Sequence, residues 1–164
     1  MAEEAWLSGK LESYSDVMMP AAHALVQAIA DLQKFTDLPN EELLTKPNNS
    51  PSVAFHLRHI AGSCDRLLTY AKGENLTEKQ FEFLKGETAE NSDLNAEELV
   101  SQAVSEIEKV LDFCKNVSSG ILFEPRFVGR KRLETNVFGL LFHIAEHTAR
   151  HVGQIITTAK IVRK

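Results

Sequence analysis

His143, His147 and His151 stand four residues apart, a spacing that stacks three imidazoles along one face of a helix, each a turn above the last. An i,i+4 pair can place two ring nitrogens about 2.0–2.1 Å from one divalent ion. His143 and His151 are separated by about 12 Å along the axis, at about 1.5 Å per residue, too far to share an ion. His147 can therefore pair with either neighbour. The pattern is not the HExxH of zinc proteases, because no Glu follows the first His of either pair; Glu146 precedes His147 and projects outward. A third ligand would come from a second helix, where His56 and His59 are the candidates. Three neutral nitrogen ligands leave a divalent ion an open position, the arrangement of catalytic rather than purely structural sites. The competing reading is that these are core or interface histidines satisfied by hydrogen bonds.

The elements that would position these rings read as helices throughout. A first helix is expected from about Ser15 into Phe35, with Leu25, Ile29 and Leu32 on one face and Pro20 either starting or kinking it. Ser50 as N-cap and Pro51 as first helical residue open a second helix, whose Val53, Leu57, Ile60, Cys64, Leu67 and Ala71 form a bundle-type seam ending near Gly73. His56 lies near the centre of that seam and His59 further round, near Ser63 and Tyr70, so periodicity favours His56 as the inward ring without excluding His59. Thr77 and Gln80 form a capping box that opens a short exposed crossover helix. Asn95 with Glu98 begins a third long helix carrying Leu99, Ala103, Ile107, Val110 and Cys114. Residues 121–133 read as a loop bearing Arg126, Arg130, Lys131 and Arg132, four cations able to pair with carboxylate or phosphate groups. Thr135 or Asn136 caps the last long helix, on which Asn136, Gln154 and Thr158 extend the histidine stripe. Four long helices with a longer crossover between the second and third describe an all-α four-helix bundle, and residues 1–164 read as one domain.

Composition narrows the function classes. The chain has 18 basic and 23 acidic residues, net −5, with +6 confined to residues 125–164 and −11 over the remainder. No aromatic-basic recognition motif accompanies the basic segment, so nucleic acid is a weak expectation. Cys64 and Cys114 form no CxxC pair and fall on apolar seams, the pattern of buried free thiols in a reducing compartment. The acidic start Met1-Ala2-Glu3-Glu4 and the lack of a long apolar run give no secretory signal or membrane span, making a cytoplasmic protein the expectation.

Two short motifs carry a family resemblance: Arg58-His59-Ile60-Ala61-Gly62 early in the second helix, and His147-Thr148-Ala149-Arg150-His151-Val152-Gly153-Gln154 late in the chain. Here the chain resembles the DinB-like family, also described as DinB/YfiT-like metal-dependent enzymes. The resemblance implies a four-helix bundle, often a homodimer, with His59, His147 and His151 holding zinc, nickel or a related divalent ion such as manganese or iron. His56, His143, Gln154 and Tyr70 then become cavity or outer-sphere candidates. It further implies a thiol-dependent S-transferase, using a low-molecular-weight thiol against a small electrophile. Metal-dependent hydrolysis, or a noncatalytic, stress-related bundle that stores or senses metal, are the alternatives.

Overall fold

The computed structural model describes residues 4–89 and 94–163, so Met1, Ala2 and Glu3 of the acidic N-terminus lie outside the described residues. Among them are six α-helices and one two-stranded sheet. Helix α1 spans Met19–Leu32, later than the expected start at Ser15. Pro20 explains the shift: it lacks an N–H and is tolerated only in the first turn. The preceding turn is closed by Met18 and Met19 N–H groups, both 3.0 Å from the Ser15 carbonyl. At its other end α1 passes into a 3-10 turn, Gln33–Phe35. A short helix, α2, follows at Asn40–Leu44.

Helix α3 spans Val53–Ala71, and its N-cap is Ser52 rather than Ser50. Pro51 holds Ser50 extended, and the Ser50 N–H is already bonded to the Pro47 carbonyl at 2.9 Å, closing a turn in which Asn48 and Asn49 take positive φ. Ser52 Oγ is left to accept the Phe55 N–H at 3.2 Å. The helix ends in a Schellman motif: Gly73, at φ +80°, donates to the Tyr70 carbonyl and Glu74 to that of Thr69. Helix α4, Glu78–Gly86, has the expected capping box between Thr77 and Gln80. Gln80 Nε2 also donates to Thr69 Oγ1 at 2.8 Å, which pins this crossover helix to α3.

Helix α5, Ala96–Asn116, is capped by Asn95, whose side chain accepts the Glu98 N–H at 2.8 Å. The expected loop after it is instead an antiparallel hairpin, β1 Pro125–Val128 and β2 Leu133–Asn136. Gly129 and Arg132, both at positive φ, reverse the chain, and Arg132 lies over the Phe127 ring at 4.3 Å. Strands of four residues are too short to show an alternation that announces them. Asn136 then caps α6, Val137–Val162, by accepting the Gly139 N–H at 2.7 Å.

Helix α3 packs on α6 and α5, and α1 packs on the same two. Their apolar faces share one core, with Leu25, Leu57, Ile60, Ile107, Leu141 and Ile155 almost fully buried. Among the described residues no helix is long and apolar enough to cross a membrane.

Candidate metal centre

Contact between α3 and α6 decides which rings meet. His147 and His151 lie one turn apart on α6, and His59 reaches them from the first half of α3. Ring centroids are 5.1 Å apart for His59 and His147, 4.6 Å for His59 and His151, and 4.5 Å for His147 and His151. One nitrogen from each of the three lies within 4.8 Å of the other two. His59 Nε2 and His147 Nε2 stand 3.4 Å apart. Two nitrogens bound tetrahedrally at about 2.0–2.1 Å would stand about 3.3 Å apart, so the spacing of this pair matches that of two ligands on one ion.

The electrostatics favour bare nitrogens. Burial, reinforced by His59 and His143, lowers His147 to about 4. Burial, with His147, His59 and His56 around it, lowers His151 to about 3. Both rings are therefore neutral near pH 7, as metal ligands must be. His147 Nδ1 is buried without a hydrogen-bond partner. The Phe55 ring stacks on His59, with centroids 5.5 Å apart and planes at 10°.

Other nitrogens of the cluster have partners. His59 Nδ1 lies 2.8 Å from Glu87 Oε2, and Arg66 Nη1 donates to Glu87 Oε1 at 2.6 Å. Both Glu87 and Arg66 are buried. Neither was visible in the sequence as a site residue. Arg66 follows Gly62 and His59 along one helical stripe, and an arginine on a buried stripe signals an acid arriving from elsewhere. His56 is 3% exposed, as periodicity expected, and its Nδ1 lies 2.9 Å from His151 Nδ1. Burial lowers its pKa to about 4.

The remaining sequence candidates lie apart from this trio. His143 is exposed, with Nδ1 2.7 Å from Glu146 Oε1, and its ring stands 5.4 Å from that of His147. Gln154 lines a cleft of ≈ 360 Å³ with His56 and Asn48. Tyr70 sits near the opposite end of α3, about 16 Å along the axis from His59. The four hairpin cations belong to that far end as well. Arg126 Nε donates to the Ala71 carbonyl at 2.9 Å, while Arg130 and Lys131 occupy the exposed hairpin tip. Cys64 and Cys114 are buried free thiols, each pushed up to about 12 mainly by desolvation.

Fold and site together define a mainly helical protein with a candidate three-histidine metal centre. The DinB superfamily model matches residues 24–155, and the chain belongs to that superfamily. A crystallised protein from Streptococcus pneumoniae has the same fold, with a TM-score of 0.64, 16% identity and 96% of each chain covered. No curated protein matches the sequence.

Proposed function

We propose that the protein is a divalent-metal-dependent enzyme in which His59, His147 and His151 hold zinc or nickel, with manganese or iron as further candidates, and that it acts as a thiol-dependent S-transferase on small electrophiles. The observation that carries this reading is the 3.4 Å approach of two Nε2 atoms within a group of half-buried imidazoles. Held by these three residues, a divalent ion would supply Lewis acidity, lowering the pKa of a thiol or water and so making it a nucleophile. His147 and His151 contribute by staying unprotonated near neutral pH, and Phe55 shields one face of His59. Cys64 and Cys114 are too buried and too weakly acidic to serve as nucleophiles, so the thiol must come from a small molecule. A cleft of ≈ 320 Å³ beside the centre, lined by Phe55, Arg58, Lys46 and Glu87 among others, falls within the range of small-molecule sites. The ring of contacts among α1, α3, α5 and α6 supports the four-helix bundle, and the family resemblance supports a homodimer.

Elemental analysis of untagged protein purified without chelator, for the wild type and His59→Ala, tests the centre. Near-stoichiometric metal that is lost in the variant is expected. No metal after reconstitution with zinc, nickel, manganese or iron would reduce the histidines to a structural role. For loaded protein, metal-dependent consumption of an electrophile by a low-molecular-weight thiol is expected. Ester hydrolysis without a thiol would make it a hydrolase, and no reaction with either would make it a metal-binding bundle.

A further inference from the structure

We propose that Glu87 is the positioning residue of the centre: it fixes the proton of His59 on Nδ1 and so keeps Nε2 bare toward His147. The inference rests on the metal-binding reading above. Glu87 is 4% exposed, and each of its oxygens has one close partner, Arg66 Nη1 at 2.6 Å and His59 Nδ1 at 2.8 Å. A carboxylate paired with a guanidinium can only accept, so the imidazole donates from Nδ1. With the Nδ1–H given to Glu87, the nitrogen left to face the centre is Nε2, the atom 3.4 Å from His147 Nε2. The group of nitrogens that converges comprises His59, His147 and His151, so Glu87 stands as an outer partner.

The surrounding structure is built to hold this carboxylate. Burying an acid is costly unless it is paired and hydrogen-bonded, and Arg66 supplies that pairing from α3 itself. Space for the pair exists because residue 62 is glycine: a Cβ there would run into the Glu87 carboxylate, the Arg66 guanidinium and the Phe83 ring. Glu87 is delivered by the end of α4, and contacts on both sides fix its approach. Gln80 ties α4 to Thr69, and Arg58 Nη1 donates to the Ala89 carbonyl at 3.1 Å. A crossover that reads as a mere connection thus sets the tautomer of a ligand on the preceding long helix.

Two measurements on Glu87→Gln test this. Zinc affinity by chelator competition, expressed per folded protein, is expected to weaken about 10–100-fold, the usual effect of losing a ligand's outer partner. Ring-nitrogen NMR of the metal-free protein is expected to show His59 purely as the Nδ1–H tautomer in the wild type and as a tautomer mixture in the variant. If the single variant does not fold, Glu87→Gln with Arg66→Met removes both buried charges and is expected to show the same two changes. Unchanged affinity with an unchanged tautomer would overturn the proposal. A wild type that binds no zinc would sink the metal reading alone, and the tautomer would still decide the role of Glu87.

Discussion

The two ends of the α3–α6 pair both collect polar side chains, but they use them in opposite ways. At the hairpin end, donors are matched to acceptors. Arg126 gives Nε–H to the Ala71 carbonyl, Nη1–H to Pro125 and Nη2–H to Glu124, while Arg132 covers the Phe127 ring. Ala71 is one of the last carbonyls of α3, which the helix cannot satisfy itself. About 18 Å away along the axis, the histidine end does the reverse: ring nitrogens converge, burial disfavours their protonation, and His147 Nδ1 is left without a partner. The contrast teaches that charge in a sequence is poor evidence for a site, because donors can be consumed by the fold. Convergent acceptors without donors are better evidence, since they leave a place for a cation.

Removing one convergent acceptor should have the largest effect. His147→Ala is expected to weaken zinc binding by more than about 100-fold, because even outer partners of ligands are worth about 10–100-fold. His143→Ala should change it only a few-fold, since that exposed ring is engaged by Glu146. Chelator competition on both variants distinguishes the two chelating pairs. Comparable losses would mean that His143 belongs to the centre.

The same depletion of protons predicts a pH dependence for the metal-free protein. His56 and His147 are lowered to about 4 and His151 to about 3, all chiefly by burial, from an ordinary value of 6.5. Between those values the unfolded chain binds protons that the folded chain refuses, so unfolding gains as pH falls. Their contribution to stability is therefore complete above 6.5 and is lost progressively as pH drops toward 4. Tm measured from pH 7.5 to 5, above most of the carboxylate range, should decline throughout the acidic half of that interval. A flat Tm would show that the rings are free to protonate in the fold.

Packing around Glu87 offers the next test, through two helical glycines in different surroundings. Gly62→Ala would drive a Cβ into the Glu87–Arg66 pair and the Phe83 ring. Overpacking of this kind costs about 1–3 kcal/mol, and the clash with three groups outweighs a helix-propensity gain of about 1 kcal/mol. Gly153 has nothing within 4 Å of where its Cβ would stand, so Gly153→Ala should keep that gain. Thermal melts should shift in opposite directions, by about 2–4 °C per kcal/mol in a chain of this size.

How far all this could be read from the sequence depends on whether the signal was local. Asn95, Thr77 and Gly73 act where they were expected because a cap or a stop is decided within one turn. The cap is Ser52 and not the expected Ser50, because both precede the helix and only the bonded turn at Pro47 separates them. The i,i+4 spacing is legible for the same local reason, but it offers His147 either neighbour, and the family resemblance alone selects His151. The third ring is not legible: periodicity measures burial, and His56 is indeed the more buried, yet the group of three forms around His59. Which neighbour a helical face meets depends on the relative rotation of two helices, which no single helical pattern contains. Glu87 was still less accessible, because its partners lie on a different element and the surrounding acids look alike.

The smallest expected effect probes the hairpin end. Arg126→Ala removes the donor to the Ala71 carbonyl and leaves that helix-end acceptor to water, since the arginine is only partly buried. A hydrogen bond from a charged group contributes about 1.5–3 kcal/mol when well buried, and solvent screening at the hairpin should reduce the loss to about 1–2 kcal/mol. Denaturant unfolding should report that loss, while zinc affinity per folded protein should be unchanged, because sites this far apart with no shared partner behave independently. A fall in affinity alongside stability would mean that the hairpin and the histidines are coupled through the length of α3, and the division of labour between the two ends would have to be abandoned.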